Sequence, residues 1–198
     1  HDIQDRVKMC GIAGFIVDPA QRQSSARIEA IAQAMDRSLA HRGPDDHDIW
    51  IDRDAGAALI HRRLSVVDLS AAGHQPMHSA DGRYVTTYNG EVYSHAPIRA
   101  EIEATGHRFH GHSDTEVILE SIARVGFRPT IERLIGMFAF AVWDRKTRTL
   151  TLVRDRLGIK PIYWAKIGGL FMFASELKAF HQYPGWTPKV RPEAVASF

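Results

Sequence analysis

The chain has 198 residues, of which 44% are hydrophobic and 24% charged, with a formal net charge of +2 and one cysteine. This is the profile of an ordinary globular protein with a single sizeable core, and it excludes a disordered chain. The charge is too small and too dispersed to argue for nucleic acid or a membrane surface. No apolar run reaches bilayer length, no signal-type apolar core stands at the N-terminus, and a lone cysteine cannot form an internal disulfide, which fits a reducing cytoplasm.

Residues 1–8 are polar and aperiodic, and with Met9 as initiator the first nine residues read as an extension or an expression remnant. From Cys10 the run Ile12, Ala13, Phe15, Ile16, Val17 is nearly continuously apolar, as in a strand buried on both faces, and Asp18-Pro19 ends it. A helix follows, with Ser25 as cap and Ile28, Ile31, Ala32, Met35 and Leu39 at helical spacing. AHRGPDD is a loop, Ile49–Ile51 starts a strand, Ala57 to about His61 forms another, and YVTTYNG reads as a strand ending in a turn at Asn89-Gly90. APIRAEIEATG is helical, with Pro97 in its first turn and Gly106 at its end. SDTEVILESIARVG is an amphipathic helix capped by Ser113 or Asp114, and RPTIERL is a short one. GMFAFAVWD, TLTLVRD, PIYWAKI and LFMFAS then follow as strands, the last two joined by Gly168-Gly169. The order implies α+β with largely antiparallel sheets. PEAVASF reads as a helix just starting, so residues 191–198 are expected to lead toward a further domain, with 10–190 as the domain proper.

Cys10 invites two readings. It is a small buried hydrophobe at a strand start, or it is a nucleophile. Were Met9 and everything before it removed, the α-amine of Cys10 would lie beside its own thiol. Such an amine titrates near 7.7–8.0 and can accept the thiol proton at about neutral pH. Gly11 would then let a substrate approach the backbone. The eleven histidines are scattered without metal-ligand spacing, and His107, His110 and His112 read as a solvated loop.

MCGIAGF, HRGPD, HRRLSVVD, YNGEVYSH, HSDTEVIL, GMFAFAVWD, RDRLGIKPIYW and ASELKA occur in that order. Together they resemble the glutaminase domain of class II glutamine amidotransferases, nearest the glutamine-hydrolysing asparagine synthetase branch, over Met9 to Phe198. The resemblance implies the four-layer αββα sandwich of N-terminal nucleophile hydrolases. It implies that Cys10 attacks the side-chain amide of L-glutamine, that the Asn89 side chain and the Gly90 N–H hold the oxyanion, and that Arg63 clamps the α-carboxylate. It also implies that Asp114, with Glu91 beside it, takes the α-ammonium, that the backbone at Val66 helps hold the substrate, and that Arg42 lies on a loop closing over the pocket. Arg62 is then a surface arginine and RDRLGIKP architecture. No cofactor or metal is expected in this domain. ATP and Mg²⁺ belong to a synthetase domain that would use the ammonia, and a homodimer stays open. Some relatives of the branch form amide or lactam bonds without glutamine, so a catalytically silent module is the alternative.

Overall fold

The computed structural model describes residues 9–64, 73–189 and 193. Among these residues, nine strands form two antiparallel sheets. The first has the order β2 (Asp46–Asp52), β3 (Ala57–Arg63), β1 (Gly11–Val17), β9 (Leu170–Ala174), β8 (Tyr163–Ile167). The second has the order β4 (Met77–His78), β5 (Tyr84–Val92), β6 (Gly136–Asp144), β7 (Thr149–Arg154). The continuous apolar character of β1 has the expected cause: as a central strand it is covered on both faces.

Alternate side chains of each strand enter different cores. Ala13, Phe15 and Val17 of β1 join Ala58 and Ile60 of β3 against Ile28, Ile31 and Met35 of α1 (Ser25–Ser38). Between the sheets, Ile16, Ala57 and Leu59 meet Val85, Ala141 and Trp143, and Trp143 donates its indole N–H across to Asp52 Oδ2 at 3.3 Å. On the outer face of the second sheet, Tyr88, Val92, Phe138 and Phe140 pack on Ile98 and Ile102 of α2 (His95–Ala104) and on Val117, Ile118 and Ile122 of α3 (Asp114–Val125). With α4 (Phe127–Arg133) these make the outer helical layer, so the order of layers is αββα.

Several local expectations change. Helix α1 is capped by Ser24, whose hydroxyl accepts from Arg27 N at 3.3 Å, one residue before the expected cap. The strand at Tyr84 does not end in a turn at Asn89-Gly90. It runs on to Val92 because β6 pairs it throughout, Asn89 opposite Ala139 and Gly90 opposite Phe138. Arg62 is no surface residue: it is paired with the buried Asp36 through Nη2 and bonds the Asp36 carbonyl through Nε at 3.2 Å. His107 also leaves the solvated loop, its side chain packed edge-on to Phe109 and bonded to Arg124 at 2.6 Å. No helix among the described residues is long and apolar enough to cross a membrane.

Candidate active site

Strand parity decides which residues can meet. On β3, Ala57 and Leu59 face the second sheet, so His61 and Arg63, at the same parity, face it too. On β1 the inward positions include Ile16, which places Cys10 on that side as well. On β5, Val85 faces the first sheet and Thr87 bonds across to it, Oγ1 donating to Ile60 O at 2.9 Å. Asn89 and Glu91 continue that face. Register then brings them to one end: Gly11 lies opposite Arg62, and His61 Nε2 donates to Tyr88 O at 3.0 Å. The start of β1, the end of β3 and the end of β5 therefore meet at one mouth of the gap between the sheets.

Cys10 lies one residue ahead of β1. Its sulfur accepts from Leu64 N at 3.4 Å and lies 3.7 Å from Leu64 O. Burial pushes the thiol pKa up, opposed by the Leu64 N–H and by the positive charges of Arg63 and Arg42. Within this chain the nitrogen of Cys10 is in a peptide bond to Met9. Gly73 leans on the Arg63 guanidinium so closely that a Cβ there would overlap Nη2. His61 is fully buried, and that burial lowers its pKa to about 4, so it is a neutral donor to Tyr88 O.

Asn89 is buried, and its Nδ2 has no hydrogen-bond partner among the described residues. Unpaired buried donors of this kind are uncommon and need a reason. Gly90 is required by space: a Cβ at that position would overlap the Met137 carbonyl of the adjacent strand.

Asp114 is the first residue of α3, while Ser113 is its cap, accepting from Glu116 N at 3.3 Å. Asp114 Oδ2 instead accepts from Tyr88 O–H at 2.6 Å and from Val92 N at 2.7 Å. Those bonds fasten the carboxylate to β5. Burial and the Asp114 charge raise the Tyr88 phenol well above its ordinary value, so Tyr88 stays a donor; Glu91 and Cys10 add to that field. Tyr88 escaped the sequence reading, as did Gln75, whose Oε1 accepts from Tyr88 N at 2.7 Å. The apolar-aromatic pattern of YVTTY gave no hint of either.

Arg42 lies in the turn that leads out of α1. Its side chain is buried, and its Nε donates to Cys10 O at 3.0 Å. Gly11 packs against that arginine. A Cβ there would lie 3.3 Å from both Arg42 Cδ and Leu39 Cβ, so the glycine gives room to the arginine. The RDRLGIKP loop winds round buried Asp155, whose carboxylate accepts from Phe138 N at 3.2 Å, Leu157 N at 3.1 Å, and Ile159 N and Lys160 N at 2.9 Å. It presents the Lys160 ammonium to Met9 Sδ at 3.2 Å. Val66 lies outside the described residues. Among the described residues no three His, Cys, Asp or Glu side chains gather as a metal site would require. A cavity of about 570 Å³, lined by Val17, Arg22, Arg53 and Trp143, opens at the far end of β1 from Cys10.

Comparison with known proteins bears on this constellation. A family model for a glutamine amidotransferase domain matches residues 9–198. Asparagine synthetase (glutamine-hydrolyzing) 3 of Bacillus subtilis (strain 168) is 40% identical over 182 residues, which are 89% of this chain and 28% of that protein. The amidase chry2 of Gibberella zeae is 34% identical over 187 residues, 90% of this chain and 28% of the relative. The chain thus spans little more than a quarter of the length of these relatives. A solved glutamine phosphoribosylpyrophosphate amidotransferase from B. subtilis superposes with a TM-score of 0.69 at 21% identity, covering 87% of this chain and 43% of that one. This last likeness is one of fold.

Proposed function

The chain belongs to the family of glutamine amidotransferase domains, and on that premise we propose that it hydrolyses L-glutamine to glutamate and ammonia through a thioester on Cys10. The observation that carries the reading is Asn89 Nδ2, a buried donor with no partner among the described residues, on the strand face turned toward the sheet that bears Cys10. A preorganised donor of that kind stabilises charge that exists only in the transition state.

Removal of Met9 turns the Cys10 nitrogen into an α-amine, which takes the thiol proton. The upward push of burial on the thiol makes such a base necessary near neutral pH. The thiolate attacks the side-chain carbonyl carbon of glutamine, and the carbonyl electron pair moves to oxygen. That oxyanion accepts from Asn89 Nδ2 and the Gly90 N–H. Collapse breaks the carbon–nitrogen bond, the α-ammonium returns its proton to the leaving nitrogen, and ammonia departs. Water then attacks the thioester, losing a proton to the α-amine, and glutamate leaves as the thiol re-forms. Arg63 pairs with the α-carboxylate in the bidentate manner suited to its fork, and the backbone at Val66 assists. Asp114, pinned by Tyr88, takes the α-ammonium with Glu91 alongside.

We propose further that the ammonia is passed to an ATP-dependent synthetase domain, for which ATP and Mg²⁺ would supply the activation of a carboxylate, aspartate where the product is the asparagine that the relatives' names print. A chain verified to begin at Cys10 that releases glutamate, and loses that activity as Cys10→Ala, supports the glutaminase. No release from such a chain would bring the silent module forward.

A further inference from the structure

We propose that Glu176 is a positioning residue for the nucleophile, acting through Arg42; this rests on the reading of Cys10 as nucleophile. The ladder between β1 and β9 begins with Ala13 opposite Ala174. Ser175 extends the grip by one residue, its N–H donating to Ile12 O at 2.8 Å and its hydroxyl accepting from Ile12 N at 3.1 Å. Cys10 lies beyond that grip, and the bond from Arg42 Nε to its carbonyl is made by a side chain.

The aim of that side chain is set by Glu176. Arg42 Nη1 donates to Glu176 Oε1 at 2.9 Å, while Nη2 is buried without a partner among the described residues. A buried guanidinium that lost this carboxylate would be an uncompensated charge and would move toward water. Glu176 is itself held on its solvent side. His41 Nε2–H donates to Oε1 at 2.9 Å, and Lys178 Nζ meets Oε2 at 3.2 Å. Lys178 Nζ also lies 2.8 Å from His41 Nδ1 and 3.0 Å from its Nε2, so Glu176, His41 and Lys178 form one cluster. Burial works to raise the Glu176 pKa, but the donors from Arg42 and His41 outweigh it and hold the group at about 2, so it stays ionised in the working range. Gly11 completes the device by leaving the face over which Arg42 crosses clear. In sequence terms, the SE of ASELKA serves the CG of MCGIAGF from the other end of the domain.

A nucleophile displaced by about 1 Å loses on the order of 100-fold in rate. The groups that would bind the substrate's α-carboxylate and α-ammonium, Arg63 and Asp114, are held by other elements. The defect should therefore fall on kcat. The test is Glu176→Gln in a chain beginning at Cys10, which keeps the shape and removes the charge. The expected result is a kcat at least about 10-fold lower, KM within about twofold, and an unaltered circular dichroism spectrum. His41→Ala, at the exposed end of the chain of contacts, should give the same signature more weakly. Wild-type kcat in Glu176→Gln, or a loss expressed in KM, overturns the proposal. If Glu176→Gln does not fold, wild-type kcat in His41→Ala overturns it. A parent chain without glutaminase activity would sink the functional reading instead, so the two failures are separable.

Discussion

Replacing Asn89 with alanine separates catalysis from stability in a way the structure makes quantitative. Asn89 is buried, yet its Nδ2 has no partner among the described residues. Truncation therefore strands no described hydrogen-bond partner. The fold loses some packing and sheds an unsatisfied polar atom, two effects of opposite sign, each about 1 kcal/mol. The melting temperature should move by no more than about 4 °C, since 1 kcal/mol corresponds to about 2–4 °C in a domain of this size. Catalysis should suffer far more. Loss of one oxyanion donor costs about 10²–10³ in kcat, or about 2.7–4 kcal/mol, whereas KM, set elsewhere, should hold. The assay is glutamate release by a chain beginning at Cys10, with a thermal melt of the same sample. Activity within about threefold of wild type would refute the oxyanion assignment, because no preorganised donor is so cheap to lose. A melt lowered by 10 °C or more, on the order of 3 kcal/mol, would show Asn89 to be structural.

Three further outcomes follow from the same geometry. Gly90→Ala drives a Cβ into the Met137 carbonyl and should separate β5 from β6, lowering the melting temperature by about 6–12 °C for about 3 kcal/mol; an unchanged melt contradicts the packing described. Asp114→Asn retains an oxygen for Tyr88 O–H and Val92 N but loses its charge, so KM for glutamine should rise about 10–100-fold at an unchanged melt, and an unaltered KM would remove Asp114 from the ammonium site. Glu176 has a depressed folded-state pKa, so its stabilisation is present above its unfolded value near 4.3 and is lost as pH falls toward about 2. Melts between pH 5 and 2.5 should therefore fall less steeply for Glu176→Gln than for wild type, and parallel curves would count against the Arg42–Glu176 contact.

What the sequence reveals and what it hides divide along physical lines. Helix α3 is legible because Val117, Ile118 and Ile122 repeat at its period between Ser113 and Gly126, and both ends carry their own signals. The hairpin at Gly168-Gly169 is legible because both residues take positive φ in a tight turn between β8 and β9. Asn89-Gly90 misleads because the dipeptide favours turns in isolation, whereas β6 offers pairing along the whole of β5. Tertiary pairing outweighs local preference there. Arg62 misleads because its partner Asp36 sits on α1, 26 residues away, and a polar side chain read alone looks exposed. Two-residue β4 is too short to leave a pattern. The candidate site is the hardest part to read. Its residues were named through eight motifs taken together, but their supports, Tyr88 under Asp114, Gly73 under Arg63 and Glu176 behind Arg42, join segments up to 134 residues apart. No local spacing encodes such contacts.

The central claim is that Cys10 forms a thioester with glutamine once its amine is free. Acid-quenched intact-mass measurement of the chain beginning at Cys10, mixed with L-glutamine, tests it most directly, with peptide mapping to locate any adduct. The account predicts a single γ-glutamyl group on Cys10, formed together with ammonia and absent from the chain that retains Met9. An adduct on any other residue, or glutamate release that persists in Cys10→Ala, would contradict it.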